Sequence, residues 1–192
     1  MVTCWVDSDP WGLTVTACCS VSVEPPLLLV SLGRETSSAT TIARTGLFGV
    51  SLLGETSVGT ARFGSAPGQP KFVHDFCLSH EHASERSRTP VVAHALAHID
   101  CAVDRTIEAG DHVLHIGRVE GVLIQAEDRP LLYYHRTYHR LGSWADLQDH
   151  PATEETIDSL AYDYPVPLRF TLPAPAVSER EGVLRDEASG ER

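Results

Sequence analysis

Three short stretches of this chain carry side chains that could do chemistry. The run Arg34-Glu35-Thr36-Ser37-Ser38-Ala39-Thr40 gathers a cation and several hydroxyls. It stands where a helix is predicted to begin, and the unpaired amides and dipole of a helix start favour an anion. Ser37, Ser38 and Thr40 are the candidate phosphate contacts, with Arg34 as the charge. The same residues would equally make a capped helix start beside a solvent-facing arginine. The second stretch, Gly110-Asp111-His112, sets a histidine directly after a turn. His112 precedes Leu114 and Ile116 at period two, so in a strand it shares their face. Asp111 could orient the ring or simply make the turn. Taken alone, a histidine at a strand start is more often structural. In the third, Thr14-Val15-Thr16-Ala17, small side chains on a strand let the backbone approach a flat ligand closely.

Other reactive residues have plainer readings. Ten histidines raise the question of a metal, with His94 and His98 four apart and His80 and His82 two apart. A metal site needs three or four ligands and a consistent second shell. The run from His94 to His98 reads instead as a solvated helical or extended segment, and no metal is predicted. The five cysteines are an odd number without CxxC spacing, which reads as reduced thiols in a cytoplasmic protein. Cys18 and Cys19 would point to opposite faces of a strand, with packing as their role.

The elements that must position these residues are mostly strands. Strands are predicted at Val2 to Val6, Gly12 to Val23, Leu27 to Leu32, and Gly46 to Leu53. Further strands are predicted around Ile99 to Val103, at His112 to Ile124, and at Leu131 to Tyr134. Gly117 and Gly121 would mark bulges. A short helix is predicted from Thr36 to Arg44, capped by Ser37 or Ser38 and ended by Gly46. A second helix is placed at Glu55 to Phe63. Gly64 to Pro90 reads as a polar loop. Mostly strands with one or two short helices suggest a β-barrel with helical inserts.

The formal charge of -11 argues against a nucleic-acid partner, which needs a basic face. No apolar run reaches the ~20 residues of a membrane helix, and no secretory signal is visible. From Ser143 the composition shifts to acidic and then proline-rich sequence. Residues 143–177 still carry Tyr162, Tyr164, Leu168, Phe170 and Leu172. That segment is expected to pack on the barrel or across a dimer, and residues 178–192 are expected to be disordered.

The run GLTVTACCSVSVEPPLLLV (Gly12 to Val30) resembles the flavin-binding segment of the short-chain flavin reductase family, the small reductases of two-component monooxygenases. AGDHVLHIG (Ala109 to Gly117) and PLLYYHRTYHRLG (Pro130 to Gly142) follow in family order. The resemblance covers residues 1–142. It implies a mainly β fold, a Greek-key split β-barrel of the flavin reductase-like type with short helical inserts, and a homodimer. It further implies FMN or FAD, NADH or NADPH as hydride donor, and a monooxygenase that receives the reduced flavin. By the resemblance, Thr14, Val15, Thr16 and Ala17 run along the flavin ring, Arg34, Ser37, Ser38 and Thr40 hold the phosphate, and His112 contacts the nicotinamide. Lys71, before Phe72, would reach the flavin tail. Tyr133, Tyr134, Arg136 and Tyr138 would line the nucleotide site or a subunit interface, with Tyr133 or Tyr134 packed in the core.

The sequence departs from the family at several points. Thr16 stands where Ser is usual, Cys18 where an aromatic is common, and Ser51 where Asn is usual. Val2-Thr3 matches a pair that in relatives follows a leading helix and a longer first strand. The expectation is that residues 143–175 fill the resulting gap. These departures motivate an alternative function, a split barrel that binds a flavin or other planar ligand without redox turnover.

Overall fold

The computed structural model describes residues 1–79, 87–125 and 129–141. In chain order the elements are β1 (Val2–Val6), β2 (Asp9–Leu13), β3 (Cys18–Ser22), β4 (Leu27–Gly33), α1 (Ser37–Thr45), β5 (Leu47–Leu53) and α2 (Val58–Ser65). A 3-10 turn at His74–Phe76 leads to β6 (Ala95–Ala109), β7 (His112–Ile124), β8 (Leu132–Tyr134) and β9 (Thr137–His139).

The first seven strands form one antiparallel sheet in the order β2-β1-β5-β6-β7-β4-β3. Its two edges, β2 and β3, are consecutive in the chain and joined only by Thr14–Ala17. Six strand spacings of a flat sheet would hold those edges ~29 Å apart. Five Cα steps from Leu13 to Cys18 reach at most ~18 Å. The sheet must therefore curl until its edges nearly meet, which makes it a split barrel, as the sequence predicts.

Phe48, Val50, Val30, Leu32 and Cys101 fill the interior, with Ile42 and Ala39 of α1 over one end. Gly117 lies against Phe48, where a Cβ would run into the aromatic ring. Thr36 caps α1, its Oγ1 accepting from the Ala39 amide at 3.2 Å, so the cap precedes the serines expected to provide it. Gly46 ends the helix in the left-handed conformation, as expected.

Several sequence expectations are corrected. Gly12 to Val23 is two strands, because the chain leaves the sheet at Thr14 to bridge the split. The segment Gly64 to Pro90 is more than a polar loop: Lys71 and Val73 are buried, and Val73 joins Met1, Val92 and Ala95 in a second apolar cluster. The β6–β7 ladder has two irregularities. One lies beside Gly121 and the other beside Gly117, where Val103 and Arg105 flank the extra residue on β6. His98 is not solvated. It is fully buried on β6, with Nδ1 at 2.8 Å from Ser51 Oγ and Nε2 at 2.9 Å from Thr89 Oγ1. Thr89 Oγ1 donates to Asp100 Oδ1 at 2.6 Å, and Ser87 Oγ lies 2.9 Å from the same oxygen. With the Thr89 proton committed to Asp100, His98 must donate through Nε2 and accept the Ser51 hydroxyl at Nδ1. This network fastens residues 87–92 behind β5. His80, His82 and the segments 143–177 and 178–192 lie outside the described residues.

Candidate active site

A cavity of about 650 Å³ opens at the split, within the size range of cofactor sites. Thr14, Val15, Thr16 and Ala17 form one wall, and Gly33 and His112 stand at one end. Val50 to Leu53 form a second wall, and Tyr133 and Tyr138 close the far side.

The Thr14–Ala17 segment is unusual backbone. The Thr14 amide donates to Gly64 O, Cys18 N donates to Thr16 O, and Ala17 O accepts from Ser31 N. The amides of Val15, Thr16 and Ala17 make no hydrogen bond among the described residues. Thr14 Oγ1 is buried and also has no partner among the described residues. A buried polar group is normally satisfied, so this wall presents donors that await a ligand or solvent. Gly64 makes the arrangement possible, because a Cβ there would collide with Thr14 and Met1. The wall residues Ala61 and Ser65 of α2 were not picked out from the sequence. Their signal is the run of small residues Ala61, Gly64 and Ser65 on one helix.

His112 enters through the β7 start, paired with Gly33 on β4 and Ala109 on β6. Its Nδ1 lies 2.7 Å from Asp111 Oδ1, and it is half exposed. Asp111 therefore both makes the turn and orients the ring. The hydrogen bond and the charge of His112 hold the Asp111 carboxyl below its usual range. With Nδ1 committed to Asp111, Nε2 remains for a ligand.

The other expected residues stand outside the cavity wall. Arg34 is at the rim next to Gly33. Its Nη2 donates to Gly110 O at 2.7 Å and its amide to Asp111 O at 2.9 Å, so it ties the α1 approach to the His112 turn. Ser37 and Thr40 lie exposed on the first turn of α1, where the Ser37 and Ser38 amides precede the capped Ala39. The Ser38 side chain is 1% exposed, with its hydroxyl buried beside the Cys4 thiol. Lys71 is buried, with Nζ 3.4 Å from Phe63 O. Neither Tyr133 nor Tyr134 is a core residue: they are 51% and 74% exposed, and Tyr133 lines the cavity. Cys18 is in the wall, and burial pushes its thiol above the usual range. Burial likewise raises Cys4, Cys77 and Cys101 to about 12, so these thiols are neutral and inert near pH 7. Among the described residues no group of three His, Cys, Asp or Glu is placed to hold a metal.

Comparison with known proteins points the same way. The family model described as "flavin reductase like domain" matches residues 1–142. An NADH-dependent flavin reductase from a Rhodococcus species is 33% identical over 72% of this chain and 74% of its own length. A flavin reductase (NADH) from Kitasatospora aureofaciens is 36% identical over 70% and 69%. Among solved structures, the Streptomyces globisporus NADH:FAD oxidoreductase, in complex with NAD and FAD fragments, superimposes with a TM-score of 0.65. It is 27% identical and covers 76% of this chain and 85% of its own. The motifs, the curled sheet and these matches together show that the chain belongs to the flavin reductase-like family.

Proposed function

We propose that the protein is an NAD(P)H-dependent flavin reductase that supplies reduced FMN or FAD to a partner monooxygenase. Curated relatives include an NADH-dependent FAD reductase and reductase components of monooxygenases, which supports the donor, the acceptor and the partner. The observation that carries the reading is the donor-rich wall. Three amides without a partner among the described residues belong to a segment that lines the cavity, beside the buried and unpartnered Thr14 hydroxyl, and this suits the carbonyl and ring-nitrogen edge of a flavin. The bound flavin supplies the hydride chemistry. The chain's task is to bind and to align. Thr14 to Ala17 hold the ring by its polar edge. Arg34 and the first turn of α1, with Ser37 and Thr40, take the phosphate just beyond Gly33. His112, steadied by Asp111, orients the nicotinamide carboxamide through Nε2. Such alignment lowers the barrier by fixing two reactants in one geometry.

Ser38 and Lys71 stay in the reading only as supports. Ser38 carries its amide to the helix start, and Lys71 holds the backbone beneath α2. A homodimer completes the proposal. Leu52, Ala97 and Ile124 lie side by side across β5, β6 and β7, and Leu52, Val122 and Ile124 are exposed next to the cavity wall. A second copy would cover that apolar row. Among the described residues no helix is long and apolar enough to cross a membrane.

Replacing His112 with Ala tests the reading. NADH-dependent flavin reduction should fall at least tenfold while flavin binding, measured by fluorescence quenching, persists. An unchanged rate removes His112 from the mechanism. Flavin binding without any nicotinamide turnover in the unaltered protein would favour the non-redox alternative.

A further inference from the structure

A second cavity, of about 470 Å³, opens between the start of α2, the 3-10 turn and the approach to β6. Phe76 of the turn packs on Phe63 of α2 with ring centroids 5.2 Å apart, and its carbonyl accepts from the Ala93 amide at 2.8 Å. These contacts hold the three segments together around the opening. Thr56, Ser57, Thr60, Asp75 and His94 supply its polar lining. None of these five side chains makes a hydrogen bond or ion pair among the described residues.

Ser57 is the decisive residue. It directly precedes α2, where a serine ordinarily caps the helix. Its backbone, at φ -91 and ψ 24, is not extended, and its side chain makes no capping bond. Yet the residue is only 6% exposed. A buried hydroxyl is normally satisfied, and this one belongs to the cavity lining. The amides of Val58, Gly59 and Thr60 also make no hydrogen bond among the described residues. At a helix start such amides, with the dipole, favour an anion. His94 adds a ring N–H in either tautomer. Asp75 is the counterweight. Its carboxylate only accepts, so it repels an anion that has no proton to offer. The lining therefore selects an anion that carries its own donor. Phosphate does so near pH 7, where it keeps at least one P–OH, whereas sulfate keeps none.

We propose that the start of α2 is a binding site for a protonated phosphate group, separate from the flavin cavity. The hydroxyls of Ser57 and Thr60, the first amides of α2 and the His94 ring donate to the phosphate oxygens, and Asp75 accepts from the P–OH. The site needs nothing from the reductase reading above. One helix separates the two cavities: Ala61 and Ser65 line the larger, and Ser57 and Thr60 the smaller. A phosphate here therefore steadies the helix that walls the flavin cavity.

The test titrates inorganic phosphate and, separately, sulfate into the full chain at pH 7 by calorimetry. Phosphate should bind about tenfold more tightly than sulfate, and Ser57→Ala and Thr60→Val should each weaken it about five- to tenfold, the size of one hydrogen bond to a charged group. Asp75→Asn should abolish the preference for phosphate over sulfate, which a merely structural Asp75 would leave in place. Glycerol phosphate identifies the source. Tighter binding than inorganic phosphate supports the site as one for a phosphorylated ligand, and weaker binding supports it as one for the free ion. Phosphate binding that Arg34→Gln abolishes and the α2 variants leave intact would overturn the proposal, because the ion would then sit at α1. So would equal affinity for phosphate and sulfate in the unaltered protein, or no phosphate binding at all.

Discussion

Replacing Thr89 with Val removes one hydroxyl from the middle of the buried network and keeps the side chain's shape. In the native protein that hydroxyl donates to Asp100 Oδ1 at 2.6 Å and accepts from His98 Nε2 at 2.9 Å. The first bond has an ionised acceptor and is worth about 1.5–3 kcal/mol. Losing the second leaves a buried ring N–H without a good partner, at a cost of about 1–3 kcal/mol. Part is recovered, because His98 Nε2 already lies 3.5 Å from Asp100 Oδ1 and can tighten onto it. Ser87 also remains beside the same carboxylate. The net expectation is a loss of about 2–4 kcal/mol, a large share of the ~5–15 kcal/mol that holds a domain together. Urea unfolding of the variant should show a lower midpoint with an unchanged slope. The effect should also have a pH signature. Burial raises the Asp100 carboxyl, but the bonds from His98, Thr89 and Ser87 outweigh it and leave the group below its usual range. A depressed carboxyl contributes stability above its unfolded value of about 3.9, and that contribution is lost as pH falls through the folded value. Thr89→Val should therefore narrow the stability gap between pH 7 and pH 3. A loss below about 1 kcal/mol, or an unchanged pH dependence, would refute the view that this network is fully satisfied and energetically significant.

Three further outcomes follow from other sites. Gly117→Ala drives a methyl into the Phe48 ring and should destabilise the barrel by about 1–3 kcal/mol, read as a lower Tm; an unchanged Tm would mean that Phe48 has room to move. The Asp111 carboxyl should titrate below its usual range by NMR, and should move back up in His112→Ala; no movement would deny the pairing that steadies His112. Cys19 is the one exposed cysteine, so a thiol reagent at pH 7 should label one site per chain rapidly and the other four slowly. Rapid labelling of several would contradict the burial of the rest.

How much of this was legible in the sequence depended on the range of the interactions involved. The apolar runs at Leu27–Leu32 and Leu47–Leu53 announce buried strands because burial on a sheet face selects the side chains directly. The break at Thr14 does not show. Its β-branched and small residues suit a strand, and only the curl of a seven-stranded sheet pulls them out of it, with Gly64 fifty residues away taking the Thr14 amide. The burial of His98 is hidden for the same reason. Its acceptor and donor, Thr89 and Ser51, come from different segments, and a histidine's burial is set by such partners rather than by its neighbours. Ser38 sits in a hydroxyl-rich run that looks uniform in sequence, yet helical geometry turns it inwards while Ser37 and Thr40 face out. The Gly110-Asp111-His112 turn was readable because its geometry is local, with Asp111 holding the ring of its own neighbour.

The most direct measurement is NADH oxidation followed by absorbance, with purified protein and added FMN or FAD. The account predicts flavin-dependent turnover well above the uncatalysed rate. Tight flavin binding with a rate no greater than that of free flavin would contradict it.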